Sequence, residues 1–139
     1  MNTLRAAIVP GLIAGTISIF TSWLFMGGLF HQYQKETPQT WRPEGAVSYT
    51  LASLLHVFSA VAISCLFTFV LRFNAGIFAS GLVGSVLFAI CIWGATILPF
   101  ILESALFVRM HRLVSVGRLL DTLVTALLAC VITGWWLRH

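Results

Sequence analysis

Charge is nearly missing from this sequence. Only 9% of its 139 residues are Asp, Glu, Lys or Arg, against about a quarter in a soluble domain. With 59% hydrophobic residues and a mean hydropathy of +0.98, the chain is excluded as an ordinary soluble fold. The basic residues Arg5, Lys35, Arg42, Arg72, Arg109, Arg112, Arg118 and Arg138 are scattered. No basic cluster interleaved with aromatics forms, so no nucleic-acid partner is expected; scattered cations suit anchoring at lipid headgroups.

Metal and enzyme signatures are lacking too. Cys65, Cys91 and Cys130 have no CxxC spacing and no His or carboxylate beside them, and read as small packing residues. His31 and Glu36 flank the polar loop, but two residues do not give a multi-ligand spacing. GxSxG, HExxH and the phosphate loop are all missing. No catalytic residue and no metal are assigned, and the cofactor is unknown.

Long apolar runs are what the sequence does have. A spanning helix needs about 20 apolar residues, so this length holds one domain of at most about four or five spans. Four runs fit, over about 6–30, 48–71, 77–98 and 113–137. The first is read as a retained span, because no small-residue cleavage site closes it. Its Gly11, Gly15, Ser18 and Ser22 recur at three- and four-residue steps, giving a small face for close helix approach. Residues 31–47, with both signs of charge and two prolines, form a polar loop. A short turn at 72–76 makes spans two and three an antiparallel helical hairpin.

The third apolar run continues from Ile77 to Val108. As one helix it would measure about 48 Å, well beyond a hydrocarbon core of about 30 Å. Pro99 removes a helical hydrogen bond, so 99–112 is expected as a kinked continuation or a short interfacial helix. Trp135, Trp136, Arg138 and His139 close the last span as an interfacial anchor.

An ionisable side chain at membrane depth is costly and is the default functional candidate. His56, Asp121 and Glu103 qualify as ligand- or proton-binding residues. Arg118, three residues before Asp121, is expected to form an i,i+3 ion pair with it. Arg118, Thr122, Thr125, Ala129 and Thr133 continue a polar-to-small stripe, which is more often a packing seam than a conduction path. Glu103 is expected either beside the carbonyls freed by Pro99 or paired at the surface with Arg109 or Arg112. In the loop, Trp41 and Arg42 are candidates for an interfacial anchor, or for a lid over the bundle mouth.

Trp23, Trp41, Gly81, Gly84, Trp93, Pro99, Leu106, Phe107 and Asp121 together resemble a family of small bacterial four-span membrane proteins of unknown function. That resemblance implies architecture only and no activity; the expected location is a bacterial cytoplasmic (inner) membrane. The small multidrug exporters are similar in length and span count, but they rely on a carboxylate in the first span. None occurs here between Ala6 and Phe30.

The expected fold is therefore all-α, a four-helix transmembrane bundle packed through the small faces of spans one and three. Its expected partners are the lipid bilayer and either further copies in a homo-oligomer or another membrane protein. Three function classes follow. The first is binding of a small molecule or ion inside the bundle, with proton-coupled transport as one form. The second is a structural or assembly subunit, and the third an enzyme acting on a lipid-borne substrate. Convergence of His56, Glu103 and Asp121 on one cavity favours the first; separate pairing of each favours the second.

Overall fold

The computed structural model describes residues 3–41, 45–73 and 76–139, with side chains from Arg5 onward. Helix α1 (Thr3–Ser22) runs without a break into a π-helical stretch, Trp23–Leu29. A short helix α2 (His31–Gln34) and a 3-10 turn at Pro38–Thr40 follow. Helix α3 (Ala46–Arg72) is the second long element. A 3-10 turn, Gly76–Ala79, leads into α4 (Gly81–Ile92). A second π stretch, Trp93–Ile97, joins it to α5 (Leu98–Phe107), and α6 (Arg112–Trp136) ends the bundle. No strand occurs among the described residues.

Four of these helical runs, Arg5–Leu29, Ala46–Arg72, Gly81–Phe107 and Arg112–Trp136, are long and apolar enough to cross a membrane. The chain is an all-α, multi-pass membrane bundle. Its outer surface carries Phe20, Leu54, Phe58, Phe69, Leu106 and Phe107, all exposed, as a lipid-facing belt requires.

Helix α6 is the central element, packed against α1, α3 and α4. Buried residues make up 39% of its apolar window, against 22–28% in the other three. Its small and hydroxylated residues explain this: Gly117, Thr125, Ala126, Ala129, Thr133 and Gly134 are all buried and let neighbouring backbones come close. From Thr125 through Ala129 to Thr133 the stripe read from the sequence is such a seam, with Ser64 donating to the carbonyl of Ala129 at 3.4 Å.

The small faces of spans one and three do not meet each other. Gly11 and Gly15 press on span two, where an added Cβ would stand 2.7 Å from Val61 Cα and 2.6 Å from Val57 Cα. On the other side, Gly134 of α6 receives the Ser85 hydroxyl of α4. The expected hairpin of spans two and three is also splayed. α3 and α4 are joined largely through α6 and through side chains such as Phe67 and Phe88, whose rings lie 5.0 Å apart.

Pro99 neither ends nor breaks the third span. It occupies the first turn of α5 directly after the π stretch. There the wider turn takes up the hydrogen-bonding mismatch that proline imposes. The helix continues to Phe107, so of the two arrangements expected for 99–112 the structure has a continuation of the span.

Candidate functional site

Three spans converge on Asp121. It lies nine residues into α6, about 14 Å along the helix at 1.5 Å per residue, and is 4% exposed. The last residue of α1, Ser22, donates its hydroxyl to Oδ2 at 3.0 Å. His56 of α3 brings Nε2 to 3.6 Å from the same oxygen. The second oxygen, Oδ1, is buried and has no hydrogen-bond partner among the described residues. Thr125 donates to the Asp121 backbone carbonyl at 3.0 Å, which closes the polar cluster on its inner side.

Two cavities border His56. The larger, about 510 Å³, is lined by Ser22, Trp23, Met26, His31, Gln34, Tyr49, Ser53 and His56, among others. The second, about 230 Å³, opens between α3 and the third span, with His56, Ser59, Ile97, Thr122 and Thr125 on its walls. The imidazole stands where the two approach each other. The π stretch after Ser22 shapes the larger cavity: it carries Trp23, Met26 and Gly27 on its wall.

This geometry can hold a proton on either member of a His–carboxylate pair. It does not form a nucleophilic triad. Ser22 donates to the carboxylate and not to His56, so the imidazole does not stand as the base on its oxygen, as a triad requires. Among the described residues, no group of three or more His, Cys, Asp or Glu side chains could hold a metal ion.

The other candidates lie elsewhere. Arg118 does not pair with Asp121 as the i,i+3 spacing suggested; its guanidinium lies 5.4 Å from the centroid of the Trp41 ring. Helical side chains lean toward the helix N-terminus, which at this end of α6 is the loop side. Arg118 therefore reaches out to the loop, while Asp121, about 4.5 Å deeper along the axis, turns inward. Glu103 is exposed on α5, lines neither cavity, and has no ion pair with Arg109 or Arg112 among the described residues. Arg42 lies outside the described residues.

Trp41 is half-buried and its indole N–H donates to Thr37 at 3.3 Å. Its segment is pinned to the connection before α6. Thr40 donates to the Arg109 carbonyl at 2.5 Å, and Tyr33 stacks on His111 with ring centroids 4.9 Å apart. His111 caps α6, its Nδ1 accepting from Leu113 N–H at 3.2 Å. The other ring nitrogen, Nε2, therefore carries a hydrogen and faces Glu36 at 3.4 Å.

Sequence reasoning missed Ser22 and Tyr49 as site residues. In the sequence Ser22 reads as one member of a small packing face, and Tyr49 lies in the first turn of a helix with no pattern that singles it out. Comparison of the chain with protein-family models, with curated proteins and with solved structures finds no match.

Proposed function

We propose that this protein binds a small molecule or ion in the cavity bordered by Ser22, Tyr49 and His56, and that the His56–Asp121 pair couples this binding to a proton. One observation carries the reading: a buried carboxylate and an imidazole from different spans meet 3.6 Å apart at the edge of a cavity of about 510 Å³. An intramembrane pair of this kind is the usual material of proton relays. Four spans enclose too little space for a wide aqueous path, so transport in this reading takes place in a homo-oligomer. The bacterial cytoplasmic membrane is part of the same proposal.

The test is reconstitution in liposomes holding a pH-sensitive dye, with native mass spectrometry to identify retained small molecules. His56→Ala and Asp121→Asn are expected to remain folded in detergent and to lose proton uptake or the retained molecule. Unfolding of both variants would return the two residues to a packing role.

A structural or assembly role is the second reading. Glu103 favours it, being a carboxylate exposed on the outer surface of the third span beside the exposed Phe100 and Leu102, where a neighbouring membrane protein could cover it. Co-release of other protein subunits from the native membrane would support this reading over the first.

A further inference from the structure

The far end of the bundle, where α3 and α6 finish and α4 begins, has a different character. A cavity of about 430 Å³ there is lined by Thr68, Arg72, Phe78, Gly81, Ser85 and Arg138, among others. Its two guanidiniums come from the last residue of α3 and from just beyond α6. Neither makes an ion pair among the described residues. The described acidic side chains are all elsewhere: Glu36 faces His111, Asp121 lies with His56, and Glu103 is near the opposite end of the third span.

We propose that this cavity is a binding site for an anionic phosphate group. Two like charges converging on one pocket repel each other unless an anion lies between them. Guanidinium is the side chain whose planar fork matches phosphate oxygens two at a time. The hydroxyls on the wall do not compete as donors: Ser85 donates to Gly81 O at 3.0 Å and Thr68 to Ser64 O at 2.8 Å. Gly81, which the left-handed φ of +67 requires to be a glycine, lies beside Arg138, whose Nη1 is 3.7 Å from where a Cβ would stand. The remaining walls, Leu71, Phe78 and Leu137, are apolar.

Phosphate reaches such a pocket in two forms. Helix ends flanked by Arg lie at headgroup level, where basic pockets between spans take the phosphodiester of an anionic lipid. The apolar walls would then receive the first carbons of the acyl chains. A water-soluble phosphate compound would use the same two guanidiniums and leave those walls idle.

The test uses the full chain in nanodiscs. In one arm, native mass spectrometry follows retention of phosphatidylglycerol as it is titrated into phosphatidylcholine. In the other, the melting temperature is followed in pure phosphatidylcholine as sodium phosphate is added. Arg72→Gln and Arg138→Gln are each expected to weaken phosphatidylglycerol retention about fivefold, which corresponds to about 1 kcal/mol per basic residue near an anionic headgroup. Arg5→Gln, an exposed arginine that does not line the pocket, is expected to change nothing. A melting shift with sodium phosphate, lost in the same two variants, would instead identify a soluble phosphate compound as the occupant. The proposal fails if neither arm responds to Arg72→Gln and Arg138→Gln, or if Arg5→Gln has the same effect as they do.

Discussion

Ser22 and Asp121, 99 positions apart in the chain, share a hydrogen bond of 3.0 Å that ties the end of α1 to the middle of α6. Hydrogen bonds between spans are worth about 0.6 kcal/mol on average and at most about 1.7. Ser22→Ala is therefore expected to lower unfolding stability in detergent by about that average and to leave the fold intact. Asp121→Ala also removes the only charged partner that His56 has among the described residues, and should cost more than Ser22→Ala. Steric-trap or denaturant titration of the two variants checks the order; equal losses would mean that His56 draws nothing from the carboxylate.

The contact of α1 with α3 depends on two residues without side chains. Gly15→Ala would drive a methyl group into the Val57 backbone, an overpacking that typically costs about 1–3 kcal/mol. Gly94→Ala serves as the control, because nothing lies within 4 Å of the added carbon. Thermal melting should separate the two clearly. A Gly15→Ala protein as stable as the parent would show that α1 and α3 can shift apart at little cost.

The Trp41 side chain is held by its indole hydrogen bond to Thr37 and by the Arg118 guanidinium over its ring. A cation–π contact at a partly exposed site is worth about 0.5–1 kcal/mol. Trp41→Ala should increase hydrogen exchange over 37–41 several-fold while the spans stay protected. If ligand or proton uptake also changes, the segment acts as a lid; unchanged uptake makes it a connector anchored at the interface.

The cysteines report on burial directly. Cys91 is exposed on the outer face of the third span, and Cys130 is fully buried in the central helix. In detergent at mildly alkaline pH a membrane-permeant maleimide should label Cys91 faster than Cys130, which should react only after denaturation. Equal labelling of both in the folded protein would be incompatible with α6 at the centre.

How much of this was legible in the sequence follows from what each signal depends on. The four spans depend on runs of apolar residues, which any reading of the chain finds. Which spans touch depends on where the small residues point across the bundle, and Gly11 and Gly15 do not announce that Val57 and Val61 will face them. His56 and Asp121 stood out because charge at depth is rare, but their meeting needed three helices in place. The Arg118–Asp121 pair failed because spacing along one helix ignores the lean of the side chains and the pull of Trp41. Ser22 looked like any other member of a small-residue stripe, since its role is set wholly by a residue in the fourth span.

The π stretch at Trp23–Leu29 has a consequence for the register of the first span. Each residue of an α-helix advances the chain by about 100°, and a π turn takes up an extra residue, so everything after Trp23 is out of phase with the stripe of Gly11, Gly15 and Ser18. That shift turns the Phe30 ring onto Gly117, where a Cβ would meet it at 2.6 Å. A one-residue deletion at Gly28 would restore α-helical phase and give a better helix on paper. It would also rotate Phe30 and His31 away from α6 and the cavity wall, so the irregular turn is what brings the polar end of the first span to face His56.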